Sequence, residues 1–372
     1  MNCTRGTATA LALAATLATG CPSKVSERSG SALSARPSDS STADHPVATR
    51  PSLDMAPGRF HLAGSLAVAR NGFSLTALAD GGALLVGGED MKRGTTAKVD
   101  RFDAKTQSWQ PAAPLAVARH QHAAILSSEN TLLISGGIDV QHRRLASAAL
   151  WSTTTKTWRA LADMTHARSN HGSLRLEDGR VLVVGGRGSD DRCTAACEMY
   201  NPRSGVWEAA APLPSVACDV VLLSLGKNRV HAFGGQAKGA LQGLSIYDVA
   251  ANSWKQGVAP PVRRIAHGVT ALDRHRVMLT GGDSQRGPLA SNELYDDRRR
   301  AYRPLSAMPE PRNSHCATRL ANGEILITGG SSPTQSQLPS ALVFSPNSNV
   351  WHNLPPMPEA RAGHRAEIGR AH

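Results

Sequence analysis

The chain has 372 residues, a formal net charge of +12, 34 glycines and only 4% aromatic residues. Short apolar runs broken by turn residues, with this much glycine, point to an all-β protein. Its Lys and Arg are scattered along the whole length with no aromatic-basic platform for stacking bases, which argues for solvated charge and against a nucleic-acid partner.

In chain order, the first element is an export signal over residues 1–20. Arg5 is the only charge before an Ala/Leu stretch from Ala8 to Ala18, which leads into Ala18-Thr19-Gly20-Cys21. This resembles a bacterial lipoprotein signal peptide, whose cysteine is diacylated and so holds a folded domain at a bilayer. That pattern favours Leu three residues before the cysteine, where Ala18 stands, and the same segment also suits ordinary cleavage without a lipid. Lipid attachment at Cys21 is the expectation. Pro22 is not the Asp that resembles an inner-membrane retention signal, so the expected place is the cell envelope, with the outer membrane ahead of the periplasm or the exterior. Residues 21–57 are rich in Ser, Ala, Pro and Thr, and read as a flexible tether spanning roughly 30 Å. No later apolar run approaches the ~20 residues of a membrane-spanning helix.

Residues 58–372 are periodic. An apolar strand ending in Gly-Gly recurs at Ala83–Gly88, Leu132–Gly137, Val181–Gly186, Val230–Gly235, Val277–Gly282 and Ile325–Gly330, and the second glycines are 49, 49, 49, 47 and 48 residues apart. Each pair is followed by one aromatic (Phe102, Trp151, Tyr200, Tyr247, Tyr295, Phe344) and, seven residues on, by another (Trp109, Trp158, Trp207, Trp254, Tyr302, Trp351). A period near 50 with these features marks a propeller with one blade per repeat. The pattern resembles the kelch repeat over residues 58 to 364. The expected fold is a six-bladed kelch-type β-propeller of four-stranded antiparallel blades, with the aromatics as core between blades. In the second repeat the strands read as about His120–Leu126, Thr131–Ser135, a third around Trp151 and a fourth from Trp158. A surplus fourth-strand signature at Phe60–Leu66 leaves a seven-bladed alternative with an incomplete last blade.

A second signal, Arg-x-x-His, recurs between one blade and the next: Arg119/His122, Arg168/His171, Arg264/His267, Arg312/His315 and Arg361/His364. The first copy keeps Arg70 with Phe73 at the histidine position, and the fourth has Ala217 and Val220. In the kelch family this junction lies beside the channel mouth, so the arginines either form a positive funnel for an anionic ligand or tie loops to backbone carbonyls. Polar residues of the loops after the glycine pairs (Glu89, Asp90, Asp139, His142, Asp190, Asp191, Gln236, Asp283) read as solvated, as does the turn Asp297-Arg298-Arg299-Arg300. Among the cysteines, Cys193, Cys197 and Cys218 are the expected source of a disulfide. Free thiols and a zinc site are the alternatives, the latter weakened because no His stands beside the pair at ligand spacing.

No metal or other cofactor is expected. The kelch propeller of galactose oxidase is similar, but its copper needs tyrosine ligands, and all four tyrosines here occupy repeat-core positions. Two functions follow: a membrane-tethered binding module whose partner is a protein or anionic glycan, or an enzyme on an anionic sugar resembling the sialic-acid mutarotases.

Overall fold

A computed structural model describes residues 69–365 apart from 91–92, 238–239 and 242, together with Phe60 and Leu66. The signal segment, Cys21 and the tether lie outside the described residues.

Six antiparallel sheets occupy residues 74–112, 123–160, 172–210, 218–256, 268–305 and 316–354, here blades 1 to 6. Each is a meander of four strands, a to d, in sequence order; a two-residue strand, Ala240–Leu241, adds to blade 4. In blade 2 these are Ala123–Ser128, Thr131–Ser135, Ala148–Ser152 and Thr157–Ala160. The six-bladed expectation is met, because every sheet draws all four strands from one repeat.

Strand b reads as an unbroken apolar run because blades cover both of its faces. Leu132 and Ile134 pack towards blade 1, while Leu133 packs towards blade 3. The repeat aromatics face each other across strands c and d, as Trp151 opposite Trp158 with ring centroids 5.1 Å apart. Such tilted pairs contribute about 0.5–1.5 kcal/mol beyond the area they bury. The strand-d tryptophans of blades 2, 3, 4 and 6 also reach the preceding blade, as where Nε1 of Trp158 donates to Ala113 O (2.8 Å) and that of Trp207 to Ala162 O (3.0 Å).

The glycine pair is a close-approach device. Gly136 has φ +62, and a Cβ there would lie 2.3 Å from Arg168 O; one on Gly137 would lie 2.8 Å from His120 O. No other residue tolerates both the backbone conformation and the contact.

The outer face of blade 1, turned away from blade 2, carries Phe73, Leu75, Ala83, Leu85 and Phe102, and Leu66 packs against it from outside the blade. Leu66, the last residue of the surplus fourth-strand signature, thus covers part of blade 1, and no seventh sheet is present among the described residues.

The a–b and c–d turns lie at one end of the blades, the turn face; the b–c loops and d–a junctions form the opposite loop face. On the turn face Asp297 is only 3% exposed and pairs with Arg229 and His231. That corrects the expectation of a wholly solvated turn, since only Arg298, Arg299 and Arg300 of the four are exposed. Long-range contact from blade 4 makes the difference.

Candidate binding face

The loop face is held by the recurrent arginines. Arg119 shows how: its backbone O accepts from Gly88 N of blade 1 (2.9 Å), while its side chain enters blade 2. There Nη1 donates to Gly136 O (2.8 Å) and Ser147 O (3.0 Å), and Nη2 to Ser147 Oγ (2.9 Å). One residue therefore fastens two blades. Arg70, Arg168, Arg264 and Arg312 likewise donate to the first glycine of their own pair, at Gly87, Gly185, Gly281 and Gly329. Arg70, Arg168 and Arg264 each add a carboxylate: Asp100, Glu198 (2.7 Å) and Glu293 (2.7 Å). Arg361 lies beside Glu359 and is 3% exposed. Burial lowers the pKa of all six, Arg119 to about 10, and leaves them cationic at neutral pH.

The expectation of an anion-binding ring formed by Arg70, Arg119, Arg168, Arg264, Arg312 and Arg361 is therefore corrected. Their exposures run from 0% to 3%, and the bonded guanidinium groups point into seams between blades. An anionic-sugar enzyme would need several of them facing solvent around one acid. Glu293, whose pKa burial raises, meets Arg264 alone.

The histidines are the reciprocal fastening, from the junction that follows a blade back onto that blade. Nε2 of His122 meets Ser74 Oγ (2.9 Å), His171 meets Ser135 (2.9 Å), His315 meets Thr280 (2.8 Å) and His364 meets Thr328 (2.7 Å). His267 departs from this, because Phe233 stands where a hydroxyl would be, and both its ring nitrogens are buried without a protein partner. A narrow cleft there is lined by Phe233, Pro260, Arg264, His267 and Tyr302. Burial pulls the pKa of His122, His171, His267 and His315 down to about 3, and that of His364 to about 4. These five, too, are interior groups and contact no open surface chemistry.

The fourth junction replaces the fastening. Ala217 is bonded to blade 3 through Thr194 O and Gly186 N but has no side chain to reach blade 4. The next residue, Cys218 of blade 4, is disulfide-bonded to Cys193 in the b–c loop of blade 3. A covalent tie thus crosses the seam where the arginine is missing. Cys197 is a free, buried thiol, its pKa pushed up to about 11 by desolvation. The bond closes a loop of 25 residues, which by chain-entropy scaling stabilises the fold by about 3 kcal/mol. Paired Cys193→Ser and Cys218→Ser substitutions should lower the urea midpoint accordingly, and reductant should do the same to the wild type. An unchanged midpoint under reduction would remove the bond from this role.

Two positions beyond each junction residue, the six arginines and Ala217, stands one that sequence reasoning overlooked. Gly72, Gln121, Asn170, Asp219, Ala266, Ser314 and Gly363 all adopt left-handed φ between 49 and 64. They bond in series around the axis: Gln121 N to Gly72 O (2.7 Å), Asn170 N to Gln121 O (3.1 Å), Asp219 N to Asn170 O (3.0 Å), then Ser314 N to Ala266 O (2.9 Å) and Gly363 N to Ser314 O (2.8 Å). The signal was present, since Gly, Asn and Asp are the residues that most readily accept this conformation. Gln121 and Asp219 are exposed there.

The b–c loops surround that ring. Asp139 is 2% exposed and organises its own loop, accepting from the backbone N–H of Gln141 and Arg143 (both 2.9 Å). Asp90 is also buried, and Asp283 accepts from Asn313 Nδ2 (2.6 Å). Asp139 and Asp90 are therefore interior and not solvated, while Asp283 is half-buried and tied to the following junction. Arg144 pairs with Asp191 and so joins the loops of blades 2 and 3. The exposed loop residues include Val140, Gln141, His142 and Arg143 in blade 2, Asp190, Asp191 and Arg192 in blade 3, Gln285 and Arg286 in blade 5, and 333–336 in blade 6; the side chain of Gln236 lies outside the described residues. Among the described residues no three His, Cys, Asp or Glu side chains gather as metal ligands do.

Comparison with known families gives two matches. The family model described as the KLHDC2/KLHL20/DRC7 Kelch-repeats domain matches residues 72–256, and the Kelch motif matches residues 312–358. No curated protein matches the chain.

Proposed function

This chain belongs to the kelch-repeat family, and we propose that it is an exported binding propeller, tethered to a membrane through a lipid on Cys21, whose loop face takes a protein partner. Kelch propellers are in general protein-binding scaffolds. The observation that carries the reading is the division of labour on the loop face. The repeated charged residues are consumed in joining blades, while the exposed side chains, among them Gln121, 140–143, 190–192 and Asp219, differ from blade to blade. Variable loops on a rigid frame are how such scaffolds acquire specificity. Export is supported by the signal-like segment ahead of Cys21 and by the Cys193–Cys218 bond, which belongs to oxidising compartments.

The reading is tested by chemical crosslinking in the producing cell's envelope. A variant with Gln141, His142 and Arg143 changed to Ala should lose a crosslinked partner that the wild type captures. A variant changed at the turn-face residues Lys105 and Lys156 should retain it. Loss in both, or in neither, would refute the loop face as the partner surface. Fatty-acid labelling that persists in Cys21→Ser would refute the tether.

A further inference from the structure

The turn face carries a charge arrangement of its own. Three turns meet below blades 4 and 5: the a–b turns around Lys227 and Arg274, and the c–d turn of blade 5 at residues 297–300. Gly226 N donates to Arg274 O (3.0 Å) and Asp297 N to His275 O (2.8 Å). The Asp297 carboxylate, buried beneath them, accepts from Arg229 Nη2 (2.6 Å) and pairs with His231 Nε2 (2.8 Å). A buried carboxylate thus locks the three tips together. Above it Lys227, Arg274, Arg276, Arg298, Arg299 and Arg300 are all exposed. The nearby surface acids Asp273 and Asp296 pair with Arg276 (2.6 Å) and Arg299 (3.9 Å) and otherwise accept from backbone N–H groups of their own turns.

We propose that this cluster is a binding site for a linear anionic polysaccharide bearing carboxylate or sulfate groups. The inference does not rest on the loop-face reading. Five of the six exposed cations are arginines, whose planar donor forks suit the paired oxygens of such groups. The cluster is confined to one sector. Exposed acids occupy the turns of other blades on the same face, at Asp80, Glu129, Glu177 and Asp178, and a flat anionic membrane would be repelled by them. No aromatic is exposed on the three turns, so bases have nothing to stack on and an acidic peptide has no anchoring pocket. A narrow, hydrophilic polyanion laid across blades 4 and 5 meets six cations against Asp273 and Asp296, and avoids the acids of blades 1 to 3.

The test is titration of the full chain with heparin oligosaccharide over a range of NaCl concentrations. The triple variant Arg298→Gln, Arg299→Gln, Arg300→Gln should bind at least about tenfold more weakly, with a shallower dependence of log affinity on log salt. A control with equal charge loss, Arg159→Gln, Arg175→Gln, Arg203→Gln, should change affinity less than about threefold. Circular dichroism of both variants should match the wild type, and the Gln side chains leave the Asp297 contacts intact. Equal loss in the two variants would overturn the proposal in favour of diffuse net charge. It would also be overturned if phosphatidylglycerol vesicles, oligothymidylate or polyglutamate bound through the same three arginines as tightly as heparin.

Discussion

The propeller should unfold cooperatively as the pH falls from about 6 towards 4.5, well above the range in which carboxylates alone denature a protein. In the unfolded chain each imidazole gains a proton near pH 6.5; in the folded chain His122, His171, His267 and His315 do so only at about 3, and His364 at about 4. Between these limits the unfolded state binds more protons. Stability is therefore complete above pH 6.5 and drains away below it, at about 1.4 kcal/mol per pH unit for each histidine. Five acting together remove about 7 kcal/mol per unit, comparable with the whole stability of a typical domain at about 5–15 kcal/mol. Proton entry is blocked structurally as well as by burial. Nδ1 of each ring is buried with no acceptor to take the bond of a second N–H, and the recurrent arginines add like charge beside the rings. Tryptophan fluorescence and circular dichroism followed against pH would show the transition. Gln at His171 and His315 should move its midpoint to lower pH. A fold unchanged down to pH 4 would contradict this account of the histidines.

The second large effect concerns Arg168. It is wholly buried against Glu198, itself 1% exposed, and donates to Gly185 O (2.8 Å), Ala196 O (2.7 Å) and the Glu198 carboxylate (2.7 Å). Arg168→Met should cost about 3–5 kcal/mol, because an ionised carboxylate is left in the interior without its cation. Backbone donors from Thr165 (2.6 Å) and His166 (3.1 Å) still reach that carboxylate, which keeps the effect within this range. Arg119→Met should cost less, about 2–3 kcal/mol, since its side chain contacts carbonyls and a hydroxyl and leaves no charge behind. Adding Glu198→Leu to Arg168→Met should recover part of the loss, a non-additivity expected of a coupled buried pair. Urea unfolding of the four proteins measures all of this. Equal stabilities would mean that Arg168 is not a fastening.

Glycine pairs and facing aromatics disclosed the propeller in the sequence because their spacing serves geometry alone. A Cβ at Gly136 meets a carbonyl, and Trp151 has Trp158 across from it whatever the loops contain. The arginines were harder to read. A funnel around an axis and a set of inter-blade fastenings require the same residue at the same interval, and only the direction of the side chain separates them. Asp297 was opaque for another reason: its partner His231 is 66 residues away, and local sequence shows only a charged turn. The disulfide lay between these extremes. Three cysteines were visible, but the choice of Cys218 over Cys197 as the partner of Cys193 depends on Cys197 turning into the core while the seam opposite holds Cys218. The left-handed ring at the axis could have been found from the small and polar residues two places beyond each arginine.

Side-chain nitrogen NMR of the imidazoles, recorded against pH on the folded protein, probes the interior fastenings most directly. His122, His171, His267, His315 and His364 should each remain neutral at pH 5.5 for as long as the near-ultraviolet spectrum is native. Protonation of any of them near pH 6.5 in an intact propeller would place it at an open surface and return the Arg-x-x-His repeat to the role of a ligand site.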